Sequence, residues 1–126
     1  MRKKFILTWK RSKQPRKQRK YRAKAPLHVK QGFMGCHLSK ELKKKYGKRA
    51  AGIRRGDKVK IMRGQFKKKT GKIERVDLKK SRVYITGIEV IKKDGTKTLY
   101  PIHPSNLIIT DLYLDDKKRV KVLERK

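Results

Sequence analysis

The sequence predicts a mainly β fold: a small barrel of about five strands, preceded by a basic extended arm and flanked by short helices. Two observations predict it. Between Gly56 and Thr110, short runs that alternate apolar and charged residues are punctuated by glycines and an Asp-Gly turn, the period and punctuation of half-buried strands. Before Gly56, lysine and arginine are so dense that the chain has little apolar surface to bury.

The elements follow in chain order, with divisions expected at 1–49, 50–113 and 114–126. Met1 to Thr8 reads as a short extended piece. From Lys10 to Lys24, nine of fifteen residues are basic. Ordering a residue costs about 1 to 2 kcal/mol, which the apolar residues of this arm cannot offset alone. Pro15 and Pro26 bias the residues before them toward extended backbone. Ser39 is a helix N-cap, with Glu41 in the first turn, Leu42 and Tyr46 one turn apart, and Gly47 as the stop. Residues 50–55 connect into the barrel.

Strands are expected at 57–62, 71–77, 82–86, 88–92, 96–100 and 107–110, with 88–92 and 96–100 forming a hairpin. Val59 and Ile61 alternate with Lys58 and Lys60, one face dry and one wet. Asp94-Gly95 is the strongest turn signal, because a tight hairpin needs positive φ. The expected core is Val59, Ile61, Ile73, Val76, Val83, Ile85, Ile88, Val90, Leu99, Ile102, Leu107 and Ile109. Pro101 and Pro104 cannot donate to a ladder and mark a loop or sheet edge. Asp115 or Asp116 caps a short final helix. This spacing suits a small SH3-like barrel.

Charge narrows the function. There are 41 basic and 10 acidic residues among 126, a formal +31. Such a surplus repels itself unless a polyanion neutralises it. Residues 1–55 carry 21 basic residues and one acid, net +20, and residues 56–126 carry 20 and 9, net +11. A basic membrane-surface helix would need an apolar face, and residues 10–24 offer only Tyr21 and Ala23. The apolar run Phe5–Leu7 falls short of the roughly 7 to 15 residues of a signal peptide. A single cysteine, Cys36, excludes an internal disulfide and fits a reducing, cytoplasmic setting.

The most informative segment is 56–76, GDKVKIMRGQFKKKTGKIERV. Gly64 and Gly71 bracket a loop carrying Arg63, Lys67, Lys68 and Lys69. Glycine serves where φ is positive or another backbone comes close, so such a loop can bring its amides to a nucleic-acid backbone. Gly56, Asp57, Val59, Ile61, Gly64, Phe66, Lys67, Gly71 and Ile73 resemble the KOW motif of ribosomal proteins and transcription elongation factors. SKQPRK (12–17), APLHV (25–29), LSKELKKKYG (38–47), IHPSN (102–106) and LDDKKRVKVLER (114–125) occur in the order seen in the archaeal and eukaryotic form of large-subunit ribosomal protein L-twenty-four. The resemblance runs from Ser12 to the C-terminus. Where the family often has a third glycine, after Lys67, this chain has Lys68, and residues 1–11 match nothing in the pattern. The resemblance implies a structural, non-catalytic protein of the large ribosomal subunit, acting in early assembly near the polypeptide exit tunnel. Its implied partners are large-subunit ribosomal RNA and neighbouring ribosomal proteins, with no membrane insertion and no homo-oligomer.

The candidate RNA contacts form three groups. In the arm they are Lys10, Arg11, Lys13, Arg16, Lys17, Arg19, Lys20, Arg22, Lys24, His28 and Lys30, with Tyr21 as the aromatic placed to stack on a base. In the loop and the strand after it they are Arg63, Gly64, Lys67, Lys68, Lys69, Gly71 and Lys72. Beyond these come Lys79, Lys80, Arg82, His103, Ser105 and Asn106. Lys and Arg would neutralise phosphates, and reading sequence would be secondary to shape. Trp9, Phe33, Tyr46 and Tyr84 are further aromatics with packing as the alternative role. His28, Cys36, His37 and His103 lack the spacing of a metal site, and no nucleophile and base stand at motif spacing, so no metal, cofactor or catalysis is expected. Two rivals stand beside the ribosomal reading: a transcription factor binding RNA polymerase or nascent RNA, and a DNA-compacting protein, which would leave IHPSN and LSKELKKKYG without a role.

Overall fold

The computed structural model describes residues 5–8 and 11–125. Four α-helices, α1 (Pro15–Lys24), α2 (Leu27–Gly32), α3 (Lys40–Tyr46) and α4 (Lys117–Glu124), accompany seven strands. The strands are β1 (Gly35–Leu38), β2 (Ala50–Gly52), β3 (Lys58–Ile61), β4 (Thr70–Asp77), β5 (Arg82–Ile91), β6 (Lys97–Ile102) and β7 (Leu107–Asp111), with a 3-10 turn at Pro104–Asn106.

The fold is a mixed α/β one built on an open seven-stranded sheet in the order β2-β1-β7-β3-β4-β5-β6, and this corrects the expected closed SH3-like barrel. Closure requires the two outer strands to pair, whereas here β2 and β6 remain separate edges. The edge of β7 that a closing strand would occupy is taken by β1, in parallel register His37↔Ile108 and Leu38↔Ile109. β2 then extends the sheet antiparallel to β1. Neither strand is visible in the sequence, because GCHL and AAG are short and AAG has low β propensity.

The arm is also corrected from extended to helical over α1. Pro15 stands at the start, where its missing N–H costs nothing, and Arg, Lys, Gln and Ala are good helix formers. α1 buries no residue, and its side-chain contacts are at its surface: Tyr21 on Phe5, Arg22 over Phe33 and Gln18 to the Ser12 carbonyl.

Local signals hold at α3 and α4, whereas α2, in the arm expected to be extended, has no side-chain cap. Ser39 Oγ accepts the Leu42 N–H at 3.4 Å, and Gly47 ends α3 at φ +65°. Asp116 accepts the Lys118 N–H at 2.9 Å and opens α4. The turn at Gly95 (φ +87°) joins β5 to β6, with the Gly95 N–H donating to the Lys92 carbonyl at 3.0 Å.

β5 runs unbroken through Gly87, where two strands were expected. Val83 and Ile85 face inward, and the next inward residue is Ile88, three positions on. A register irregularity between Tyr84 and Glu89, with Gly87 at φ +85°, supplies the extra residue that returns the apolar side chains to the core.

The core comprises Met34, Cys36, Leu38, Ile53, Val59, Ile61, Ile73, Val83, Ile85, Ile88, Ile102, Leu107, Ile109, Leu112 and Leu123. Of the expected core, Val76 and Leu99 are half-buried and Val90 is exposed. Val90 lies in the outer part of the β5–β6 hairpin, paired with Thr98, where Glu89, Ile91 and Lys92 are exposed as well. The Cys36 thiol donates to the Leu107 carbonyl at 3.1 Å, and burial pushes its pKa up to about 12.

Candidate nucleic-acid interface

The loop between β3 and β4 takes its shape from two different demands on glycine. Gly64 sits at φ +95°, a backbone conformation that L side chains rarely adopt. Gly71 does not; a Cβ there would stand 2.6 Å from Ile85 Cγ2 and 2.8 Å from the Thr86 carbonyl oxygen. Gly71 is therefore a close-approach glycine, which lets β4 lie against β5. Lys68, where the family often has a third glycine, itself adopts φ +74°.

The lysine amides of this loop are already used. Lys67 N–H donates to the Gly64 carbonyl, Lys68 N–H to Ile61 and Lys69 N–H to Phe66, at 3.1, 2.8 and 3.1 Å. Those three amides are therefore occupied within the loop, while the side chains of Lys67, Lys68 and Lys69 are all exposed. The Met62 N–H donates to the Asn106 carbonyl at 2.8 Å and ties the start of the loop to the 3-10 turn.

That tie makes a cleft of about 370 Å³ lined by Arg63, Gly64, Gln65, Phe66, Arg82, Tyr100, Pro101, Ile102, His103 and Asn106. Five of the expected contacts, Arg63, Gly64, Arg82, His103 and Asn106, meet here from three separate stretches of chain. Phe66 and Tyr100 meet within it at 5.1 Å between ring centroids, tilted by 56°. The Lys69 ammonium lies 5.2 Å from the Phe66 centroid. These two aromatics were absent from the expected stacking set; the signal that could have found Phe66 is its place between Gln65 and three lysines.

His103 is held by its own turn. Its Nδ1 accepts the Ser105 N–H at 3.2 Å and lies 2.8 Å from Ser105 Oγ. An acceptor at Nδ1 puts the ring proton on Nε2, which becomes a donor. Desolvation, followed by the charges of Arg82 and Arg22, lowers the His103 pKa. Arg22 thereby links α1 electrostatically to the cleft.

The remaining candidates lie elsewhere. Arg11, Lys13, Arg16, Lys17, Arg19, Lys20, Arg22 and Lys24 are exposed on and before α1. Tyr21 packs on Phe5 at 4.8 Å. His28 is exposed and Lys30 half-buried on α2. Lys79 and Lys80 form the β4–β5 turn, where Asp77 accepts the Lys80 N–H, and Lys79 lines a different, shallower cleft. Lys72 is exposed on β4, directly across from Lys58, whose other neighbour in register is Asp111. Like charges directly opposite are unfavourable, and Asp111 is the opposite charge across from Lys58 on its other side. Lys10 and Trp9 lie outside the described residues. Of the other aromatics, Tyr84 carries the Arg75 guanidinium at 4.1 Å, Phe33 carries Arg22 at 5.8 Å, and Tyr46 packs against the core.

A small sheet protein with this density of exposed lysine and arginine belongs to the class that holds a polyanion through side chains. The family model for the ribosomal proteins called L26 in eukaryotes and L-twenty-four in archaea matches residues 12–126. The large ribosomal subunit protein uL24 of Methanosphaera stadtmanae is 50% identical over 115 residues, covering 91% of this chain and 98% of that protein. That of Methanocella arvoryzae is 52% identical over 115 residues, covering 91% and 93%. The chain belongs to this ribosomal protein family.

Proposed function

We propose that this chain is a structural, non-catalytic protein of the large ribosomal subunit that binds large-subunit ribosomal RNA in the cytoplasm beside other ribosomal proteins. The observation that carries the reading is family membership over nearly the whole chain, and the formal charge of +31 supplies its physics. The RNA contacts are drawn from those expected from the sequence: the basic arm with Tyr21, the loop side chains Arg63, Lys67, Lys68 and Lys69, and Arg82, His103 and Asn106 of the cleft with Ser105 beside it. Segment 1–49 is the RNA-holding arm, which carries β1, paired with β7, and α3; segment 50–113 is the sheet platform; segment 114–126 carries α4. No helix among the described residues is long and apolar enough to cross a membrane.

Mechanistically, lysine and arginine replace the counterions of phosphates that RNA folding brings together, so the chain acts as an electrostatic staple. Sedimentation of a cell lysate at rising salt tests this. The chain travels with the large subunit and leaves only at high salt. Recovery at the top of the gradient in low salt overturns the reading.

A further inference from the structure

We propose that the cleft between the β3–β4 loop and β6 receives one unpaired nucleotide of the bound RNA, stacking its base on the exposed ring of Tyr100 with Phe66 as the wall beside it. This rests on the RNA-binding reading and adds to it a specific subsite.

Four features point to a nucleotide. Tyr100 is 39% exposed, a large ring on a sheet edge that packing leaves open to solvent. Phe66 is half-buried and packs against the core, so it is a fixed wall rather than a mobile side chain. The 5.1 Å spacing and 56° tilt show that the two rings touch, so that Phe66 braces Tyr100 while part of the Tyr100 ring stays open to solvent. The cleft volume of about 370 Å³ lies within the range of small-molecule sites, roughly 300 to 1,000 Å³.

The polar groups are arranged to match. Arg63 and Arg82 line the same cleft and supply charge for the flanking phosphates. The Nε2–H of His103 and the amide of Asn106 can donate and accept at a base edge. An aromatic platform beside arginines is the chemistry by which proteins hold unstacked bases, whereas paired RNA hides the base faces. An acidic peptide would use the arginines but would have no need of two converging rings.

The test uses the full chain and two hairpin RNAs identical except that one carries a single unpaired 2-aminopurine. Wild type binds the bulged hairpin on the order of tenfold more tightly than the paired one, the size of one stacking contact, and its fluorescence is quenched. Tyr100→Ala abolishes the preference and the quenching, so that the bulged and paired hairpins bind equally. Phe66→Leu, which keeps an apolar side chain against the core, does the same. Equal binding of both RNAs without quenching overturns the subsite and leaves RNA binding standing. Full preference in both variants likewise overturns it. Binding to neither RNA overturns the RNA reading together with the subsite.

Discussion

Asp57 and Arg119 form a two-pronged ion pair sealed inside the protein. Arg119 Nη1 and Nη2 stand 2.5 and 2.6 Å from the two carboxylate oxygens, and the side chains are 5% and 0% exposed. The other Nη hydrogens and the carboxylate also have backbone partners. Arg119 donates to the Tyr113 and Gly52 carbonyls at 2.8 and 3.0 Å, and Asp57 accepts the Arg54 and Tyr113 N–H groups, each at 2.9 Å. Four segments are thus joined at one point: the end of β2, the entry to β3, the exit from β7 and α4.

Breaking this pair leaves a buried charge uncompensated, which costs about 3 to 5 kcal/mol. Arg119→Met and Asp57→Ala each lose stability of that order in urea unfolding. The double variant loses less than the two single losses added together, but it is not neutral, because two backbone N–H groups still lose their acceptor at about 1 to 3 kcal/mol each. Strict additivity would mean the two side chains act independently.

The two loop glycines respond differently to substitution. Gly71→Ala drives a Cβ into Ile85 and the Thr86 carbonyl and costs about 1 to 3 kcal/mol. Gly64→Ala meets open space and pays only for its positive φ, about 1 to 2 kcal/mol. Gly64→Asn recovers part of that loss, since asparagine tolerates the left-handed region, whereas Gly71→Asn is at least as damaging as Gly71→Ala. Guanidinium midpoints for the four variants check the order.

Lys68 separates charge from conformation. Lys68→Gly relieves a positive φ and removes one cation, so thermal stability holds or rises while RNA binding weakens in a salt-dependent way. Replacing Lys67, Lys68 and Lys69 together with alanine lowers the salt slope by about 2 to 3 units, at about 0.7 to 0.9 per phosphate contact. Affinity measured from low to moderate salt gives the slopes. An unchanged slope in the triple variant would mean the lysines sit in solvent when RNA is bound.

His103 makes the folded protein sensitive to mild acid. Its pKa is lowered by burial first and then by Arg82 and Arg22, so the folded state takes up a proton less readily than the unfolded chain. Its contribution to stability is intact above the ordinary histidine value of about 6.5 and is lost as pH falls through the depressed folded value. His103→Asn keeps an acceptor for the Ser105 N–H but does not titrate. Its melting temperature falls less than that of wild type between about pH 7 and 5.5, and NMR of the imidazole protons shows the depressed value directly.

Local chemistry was legible wherever a few neighbouring residues decide the outcome. Ser39 and Gly47 bound α3, Asp116 opens α4, and Val59, Ile61 and Ile73 are in the core, because caps and period-two alternation act within a few residues. Among the site residues, Arg63 and Arg82 were legible as basic candidates, but not that they would share a cleft. Gly71 was legible as a special position, but whether it serves positive φ or close approach depends on where β5 lies. Asp57 was read only as part of a motif, since its partner is 62 residues away.

The sequence by itself determined the polyanion partner, the family and most of the strands, because net charge, motif order and alternation are properties of the chain in any conformation. Only the tertiary structure decided that the sheet stays open, since that depends on β1, four residues without a strand signature, taking the edge of β7. It also decided that Phe66 and Tyr100 converge. The physical reason is the same in both cases: strand pairing and side-chain contact are long-range choices between surfaces, and they are settled by which partner is nearby when the chain has folded.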